Sequence, residues 1–539
     1  MTPYENHRAT VRRFAPALPG LALALALAAL PAASTAAQDE GRTLTLEQAI
    51  ALALEKNEDI LIQRASADSA AAAVTGAEGA YDPLFGLQGG WRRASEPVNS
   101  AFSGAPEGEA APTDEAAEAS AGIVQLLPTG GSVAVRAGTA RSETDGTFGL
   151  VSPAYDSVLG VELRQPLLRD RSIDAARLGL SVTAADRDRA LASLNREVVE
   201  TVAAVERAYW TLVAARREVE VREEAVELAE EQLTETSLRI EEGAAPEAEV
   251  AQPRAELERR RGDLLEAREG VARAESGLKL LILGDDDDAL WSAPVAPVED
   301  VEAEVVAVDV GVAMAEALAA RPELAAVEAV VERRRAESAY AGDAVLPTLD
   351  LVLSYDRFGL TGSRNPAAEE VPGLPGGLPR DLEGDLGSSL EQLVDGDFDD
   401  ARVGLVLEVP IGNRRARADA RIARNAERQA EAELARARKA VRAEVLDAAA
   451  ALETAGGRIE ATRAARQAAE VQLSSERERY AAGLSTNFLV LTRQNDLAGA
   501  QLDEIEALTD YRAARTEMAR ATGALLAERR IELRETDRR

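Results

Sequence analysis

The sequence predicts a mainly α-helical fold with a smaller β segment, built from two copies of one long-helix hairpin. Two stretches, 172–242 and 414–481, keep a helical pattern without proline. Each spans roughly 70 residues, far more than the helices of ordinary globular proteins. Aromatic residues make up only 3% of the chain, while Ala, Glu, Arg and Leu are abundant, as is typical of long packed helices. Short segments of period-two alternation lie between the helical stretches and indicate β-strands.

A turn at the end of each long helical stretch occurs twice in the chain. The segment from Ala229 to Leu257 aligns without a gap with the segment from Ala469 to Leu497. Glycine can adopt the positive φ that closes a helix, and Pro246, or Thr486 with Asn487, can start the next one. Each copy therefore predicts a helix–turn–helix tip, and the pair indicates an internal repeat. The shared residues are Ala229/Ala469, Glu230/Glu470, Gln232/Gln472, Leu233/Leu473, Arg239/Arg479, Gly243/Gly483, Val250/Val490 and Leu257/Leu497.

The repeat predicts two domains that follow an N-terminal signal. Residues 1–37 combine three arginines, an apolar run at 18–30 and small residues at 33–37, which is the pattern of a secretory signal cleaved before Gln38. The apolar run is too short for a bilayer crossing, which takes about 20 residues. We expect the first repeat over 38–300 and the second over 301–539.

The first repeat is predicted to contain three helices and four strand candidates. Its helices cover 45–79, with Thr45 at the start, 172–242 and 247–283. A polar loop is expected at 96–120, a tight turn at 128–131 and another polar loop at 144–156. The strand candidates, all within 84–168, are 84–91, 123–127, 133–140 and 158–168.

The second repeat has the same plan with fewer strands. Strands are predicted at 348–355 and 403–409, separated by a long loop at 358–399. In each repeat the two shorter helices together match the length of the long one, so we expect them to stack end to end beside it. The helices of this repeat are 311–342, 414–481 and 486–527.

The strand candidates are short and alternating, with aromatic residues near their ends. Trp91, Tyr155, Tyr355 and Phe358 are the aromatic residues in question. This pattern favours segments of a transmembrane β-barrel; a soluble β-hairpin cap on a coiled coil is the alternative. One chain has too few strands for a barrel, since small barrels begin at about eight. We therefore expect a trimer that shares one β-barrel and one α-helical barrel.

The composition excludes several classes of function. The chain has no cysteine, and its one histidine lies in the predicted signal, so thiol chemistry, histidine-based triads and ordinary zinc sites are excluded. The net charge of −33 argues against a nucleic-acid partner. The acidic runs at 285–288 and 395–400 are predicted to be solvated loops and not calcium sites. We expect no enzyme activity and no cofactor.

Taken in order, these features resemble the TolC-like outer-membrane efflux protein family. The resemblance covers roughly Leu44 to Leu526 and includes the duplicated layout, the two tips and three short motifs. It implies a trimeric channel with a β-barrel in the outer-membrane lipid of a Gram-negative cell and a helical barrel in the periplasm. It also implies partners, namely a periplasmic adaptor and an inner-membrane pump. The motifs are Leu46–Ile50 with Ala53 and Leu54, Gln165–Leu168, and Val409–Ile411.

The resemblance places adaptor docking at the tips. The alternative is that these residues only form the turn and the helix packing around it. The residues that match the family's tip motif are Arg239, Gly243, Val250, Arg479, Gly483 and Val490.

The same tips are where relatives narrow the closed channel, with inward acids six and nine residues after the second glycine. Those positions here are Leu489 and Thr492, so a carboxylate ring is not predicted from the second repeat. Glu249 occupies the six-residue position of the first repeat. We hypothesise that Tyr480 hydrogen-bonds Glu249 and holds the tip shut.

The strand count departs from the family, whose members normally contribute two strands per repeat. The turn at 128–131 suggests four strands in the first repeat, and we expect two of them to be loop or periplasmic hairpin, in a barrel of twelve strands. The predicted function is a passive exit duct for efflux or type I secretion, which passes small molecules or exported protein. The alternatives are a periplasmic coiled-coil scaffold or adaptor without a membrane barrel, and an enzyme that uses surface carboxylates.

Overall fold

A computed structural model describes residues 42–97, 99, 104–106, 109–243, 246–370 and 378–531. The predicted secretory signal at 1–37 lies outside the described residues. Among those that are described, none of the helices combines the length and the apolarity that a membrane crossing needs.

Two very long helices dominate the described residues. α3 has 67 residues and α9 has 68, so each is about 100 Å long at 1.5 Å per residue. The helices are α1 (Leu46–Lys56), α2 (Glu58–Glu78), α3 (Ala175–Glu241), α4 (Ala251–Ile282), α5 (Asp288–Ser292), α6 (Val310–Ala320), α7 (Pro322–Asp343), α8 (Leu386–Asp395), α9 (Arg414–Ala481), α10 (Asn487–Thr522) and α11 (Leu525–Glu528).

Two stretches predicted as single helices are each divided in two. Thr45 starts α1 with a capping box, but Asn57 leaves the helical conformation and its side chain accepts from the amides of Asp59 and Ile60, which starts α2. In the second repeat Arg321 is extended, and Pro322 then occupies the start of α7, where its missing N–H costs nothing. The first break thus comes from a side-chain cap and the second coincides with a proline.

The helices pack side by side in one layer. α2 and α4 both lie along α3, while α7 and α10 both lie between α3 and α9. The end-to-end stacking predicted for the shorter helices is therefore present. As a result, α2 with α4 forms one edge of the layer and α9 forms the other.

The main apolar core lies where the long helices pass the segment between the repeats. Tyr209 of α3 and Tyr511 of α10 are buried there. The Tyr209 hydroxyl donates to the carbonyl of Leu44 at 3.0 Å, and the Tyr511 hydroxyl donates to the carbonyl of Glu304 at 3.1 Å. Each tyrosine thus ties an extended segment to a helix. Beside this core, β1 (Arg42–Leu44) pairs in parallel with β6 (Val295–Pro297).

Six antiparallel strands form one sheet in the order β2-β3-β4-β5-β7-β8. Their backbone pairing is continuous through β2 to β4, whereas the start of β5 against β7 carries an irregularity between Val151 and Ala154. The strands are β2 (Leu84–Ser95), β3 (Thr113–Leu126), β4 (Ser132–Thr144), β5 (Val151–Pro166), β7 (Thr348–Arg364) and β8 (Phe398–Glu408).

The sheet corrects the predicted strand count. All four candidates of the first repeat are strands of this sheet, so the expectation that two of them are loop or hairpin is wrong. The turn predicted at 128–131 is present: Leu127 N–H donates to the Gly131 carbonyl at 2.8 Å, and Gly130 has a φ of +84°. With two strands from the second repeat, the described residues form six strands of this sheet, whereas a twelve-strand barrel shared by three chains would take four from each.

Three loop predictions are also wrong in part. β3 begins at Thr113 inside the loop expected at 96–120, and β5 begins at Val151 inside the loop expected at 144–156. The region 358–399 contains the end of β7, the helix α8 and the start of β8. The strand parts pair through backbone hydrogen bonds with strands that are distant in sequence, so the local sequence does not reveal them.

Candidate functional site

One face of the six-stranded sheet is apolar. Residues directly opposite each other in the register share a face, and the apolar set extends across all six strands. Several members are largely exposed, among them Leu87 at 73% and Val403 at 79%. The set consists of Phe85, Leu87, Trp91, Ile123, Val133, Val135, Leu159, Val161, Leu163, Leu349, Leu351, Leu353, Val403, Leu405 and Leu407. So large an exposed apolar surface marks contact with lipid or another protein.

The opposite face carries charges. Arg136 pairs with Asp356 at 2.6 Å, and Arg164 pairs with Asp350 at 2.6 Å. Both aspartates are buried. Strands that are apolar on one face and charged on the other match the wall of an outer-membrane pore, with lipid outside and water inside. The sheet therefore has the one apolar and one charged face expected from the alternating pattern.

At the far end of the helical layer, two glycine turns build the tips. Gly243 and Gly483 have φ values of +77° and +71°, a conformation that glycine takes without strain. After α9 the Gly483 N–H donates to the Tyr480 carbonyl at 2.9 Å and the Leu484 N–H donates to the Arg479 carbonyl at 2.8 Å. These bonds satisfy the last carbonyls of the helix.

The two tips touch each other within one chain. The Arg239 guanidinium of α3 lies over the Tyr480 ring of α9, 4.8 Å from its centroid, which is a cation–π contact. Tyr480 is itself buried in a small apolar cluster with Leu473 and Val490. The structure thus brings together three residues that the sequence placed at the tips, one from the first repeat and two from the second.

The other predicted tip residues lie apart from this cluster. Val250 is half-buried, and Arg479 is mostly exposed with its guanidinium 3.7 Å from Glu476. Glu249 and Leu489 are exposed, and the Thr492 hydroxyl donates to the Phe488 carbonyl at 2.8 Å. Within the described residues no hydrogen bond joins Tyr480 to Glu249, so their pairing stays a prediction.

Sequence reasoning missed an exposed apolar group at the tips. Leu238 is 53% exposed, Leu484 72% and Phe488 60%. Leu484 directly follows the turn glycine, and Phe488 lies in the first turn of α10. Apolar residues beside a turn glycine, where polar ones are usual, were the available signal. In the described part of the chain, no group of three or more His, Cys, Asp or Glu is placed to hold a metal.

Comparison with known proteins decides the family. The model of the outer membrane efflux protein family matches residues 109–283 and 313–524. The chain belongs to this family. It is an outer-membrane efflux channel and not an enzyme, in agreement with the resemblance. The alternative of a periplasmic coiled-coil scaffold or adaptor without a membrane barrel is not favoured. Among curated proteins, no sequence matches the chain.

Solved structures show the same fold at low sequence identity. The CmeC outer membrane channel of Campylobacter jejuni is 17% identical, with a TM-score of 0.58 over 89% of this chain and 86% of that one. The VceC outer membrane protein of Vibrio cholerae is 16% identical, with a TM-score of 0.58 over 89% and 96%. The open state of the MtrE outer membrane channel of Neisseria gonorrhoeae is 16% identical, with a TM-score of 0.57 over 89% of each chain.

Proposed function

We propose that three copies of the efflux channel protein close around one bore and form a passive exit duct across the outer membrane and the periplasm. The position of the open edges carries this proposal. The sheet ends at β2 and β8, and the helical layer ends at α2 with α4 and at α9. Because β2 follows α2 and α9 follows β8, sheet and layer are open on the same two sides. When identical neighbours are related by rotation, one kind of contact between them therefore closes both the sheet and the helical layer.

The six strands set the size of the shared barrel. Three chains of six strands give eighteen, and barrels of 16–18 strands leave an aqueous channel. In this arrangement the apolar face meets lipid and the face with Arg136, Arg164, Asp350 and Asp356 lines the water-filled bore. The extra hairpin of the first repeat widens the barrel relative to the twelve strands that the family resemblance implies.

The tips form the docking end for a periplasmic adaptor, which links the duct to an inner-membrane pump. Their exposed leucines and Phe488 supply apolar contacts, and Arg239 and Arg479 flank them. In the assembled duct Glu249, together with Leu489, lies where the tips converge, and the buried Tyr480 holds the two hairpins of each chain together. The pump supplies the energy, since the duct makes and breaks no bond.

The number of subunits tests whether three copies close the sheet and the helical layer. The full chain, extracted from outer membranes with detergent, is expected to have a protein mass three times that of one chain in light scattering with the detergent contribution subtracted. An eighteen-strand barrel also predicts a wider pore than a twelve-strand relative in planar-bilayer conductance under the same salt. A stable water-soluble monomer would contradict the proposal.

The tip surface can be tested separately by adding charge. Replacing both Leu484 and Phe488 with aspartate is expected to abolish efflux. Binding the adaptor would then bury two carboxylates in place of two apolar side chains, and their loss of hydration opposes docking. Efflux is measured as drug susceptibility, and adaptor contact as cross-linking in cells. Phe488→Leu is the matched control and should retain both. If the double variant remains trimeric and supports normal efflux, Leu484 and Phe488 do not form the docking surface.

A further inference from the structure

The short helix α8 lies on the apolar face of the sheet, at its outer end. Ser157, Gly359 and Thr361 share that face with Leu159 and Leu353, as the strand register shows. The Ser389 hydroxyl donates to the Ser157 hydroxyl at 2.9 Å, and the Thr361 hydroxyl donates to the Asp385 carbonyl at 2.7 Å. α8 is therefore on the face proposed to meet lipid, and not inside the bore.

Close polar contacts fix α8 to the sheet. A Cβ atom at Gly359 would lie 2.0 Å from the Ser389 carbonyl oxygen, so only glycine allows this approach. The Leu360 N–H donates to the Gln392 side-chain oxygen at 2.8 Å. The Arg357 guanidinium donates to the carbonyls of Leu393 and Val394 at 3.0 and 3.1 Å. The side of the helix that faces the sheet is thus held largely by hydrogen bonds.

A different side of α8 presents an apolar stripe to the surroundings. Leu386, Leu390 and Val394 follow each other at every fourth position and are 37%, 45% and 78% exposed. Residues spaced by four line up along one side of a helix. Glu391 and Asp395 lie on another side and are exposed as well. A surface helix normally buries its apolar stripe, whereas α8 buries Ser389, Gln392 and Leu393 and leaves this stripe uncovered.

The position of α8 along β7 indicates what contacts that stripe. β7 leaves the helical layer at Thr348 and runs outward to Arg364. From Leu349 to Gly359 the strand advances by about 33 Å, or about 25 Å of height at the usual tilt, which is the height of the apolar band of an outer-membrane barrel. The helix therefore lies at the outer boundary of the band and continues its apolar surface.

We infer that α8 is an interfacial anchor whose stripe enters the outer leaflet of the membrane and contacts its acyl chains. Amphipathic helices at membrane surfaces bury their apolar side by about 5–10 Å into the boundary between headgroups and acyl chains. The inference rests on the proposed barrel, because the lipid-facing side of the sheet defines the side on which α8 lies. In this role, the region 358–399 of the second repeat helps to hold the channel at a fixed depth in the membrane.

The absence of cysteine from the chain allows a direct test. Single cysteines are placed at Val394 on the stripe and at Glu391 on the acidic side, and each is labelled with a nitroxide in the full chain. The labelled channels are reconstituted in vesicles of phosphatidylcholine and phosphatidylglycerol. Electron paramagnetic resonance then measures collisions with oxygen, which concentrates in lipid, and with a water-soluble nickel chelate. We expect the oxygen-to-nickel ratio to be several-fold higher at Val394→Cys than at Glu391→Cys.

A third label, at Leu405→Cys on the apolar face of β8, distinguishes failure of the α8 anchor from failure of the proposed barrel. High oxygen access there with equal ratios at the two α8 positions would overturn the anchor and leave the barrel intact. A nickel-accessible label at Leu405→Cys would count against the barrel itself. If the Val394→Cys label is shielded from both reagents, protein covers the stripe and the lipid contact is wrong.

Discussion

Replacing Leu353 with arginine is expected to destabilise the membrane-inserted channel by about 2–4 kcal/mol, the cost of a cation on the lipid face near the bilayer midplane. Leu353 lies half-way along the apolar part of β7 and is flanked in the register by Leu163 and Val403. The residues directly opposite it in the register are apolar, so an arginine there would have no carboxylate partner across the strands. The free energy of unfolding from vesicles, measured by urea titration, reports the loss.

The next residue along the strand supplies the matched control. Ser354 lies on the opposite, charged face, opposite Glu162 on β5 and Arg402 on β8. Ser354→Arg places the same side chain in the proposed water-filled bore, where Glu162 can pair with it and water screens its repulsion from Arg402, which Asp400 neutralises. The unfolding free energy should therefore change by under about 1 kcal/mol. Equal losses for the two variants would contradict the assignment of the lipid face.

The long helices were predictable because their signals are local. The predicted helix 414–481 has the bounds of α9, and the predicted 172–242 contains α3, which starts at Ala175 behind the capping side chain of Asp174. A run without proline, closed by a glycine, settles such a helix within its own sequence. The division at Asn57 was missed because one cap inside a strong periodic pattern is a weak signal, whereas Pro322 was an available signal for the division at Arg321.

Strand extents and α8 were not predictable to the same degree. The first half of β3, from Thr113 to Glu118, consists of alanine, acids and threonine, and it is a strand because β2 and β4 pair with it on both sides. Pairing partners distant in sequence decide such cases. α8 carried local signals, namely Asp385 at its N-cap and Gly396 at its C-cap, but the long polar region around it favoured a loop.

At the tips, too, local features could be predicted from the sequence, whereas contacts between residues far apart in the chain could not. The turns at Gly243 and Gly483 follow from the residue type alone. The contact of Arg239 with Tyr480 joins residues far apart in sequence and depends on α3, α10 and α9 lying side by side. Individual tip residues could therefore be named from the repeat, while their partners could not.

The charged cluster around Arg520 depends on the same packing. Its side chain is only 13% exposed and lies 2.9 Å from Glu200 on α3. It also pairs with Glu517 of α10 and Glu444 of α9, and Glu444 pairs in turn with Arg321 between α6 and α7. One guanidinium thus links three helices of the layer through three carboxylates.

Replacing Arg520 with alanine is expected to cost about 2 kcal/mol at neutral pH, because three half-exposed carboxylates lose their shared cation while Glu444 keeps Arg321. Hydrogen bonding from Arg520 lowers the pKa of Glu517. A carboxyl whose pKa is lowered by folding stabilises the protein above its unfolded pKa, near 4.3, and loses that contribution as the pH falls through the folded value. The difference between wild type and variant should therefore shrink in acid.

Urea unfolding in detergent, followed by helical circular dichroism at neutral pH and at successively lower pH, measures both effects. Arg415→Ala is the control, since the Arg415 side chain is 97% exposed and lies 3.9 Å from Asp419; such a pair contributes under about 1 kcal/mol. A loss for Arg520→Ala that is as small as the control, or that stays constant through the titration of Glu517, would show that this shared cation contributes little to the stability of the helical layer. A larger loss that fades in acid would show that this shared cation contributes to the alignment of α3, α9 and α10.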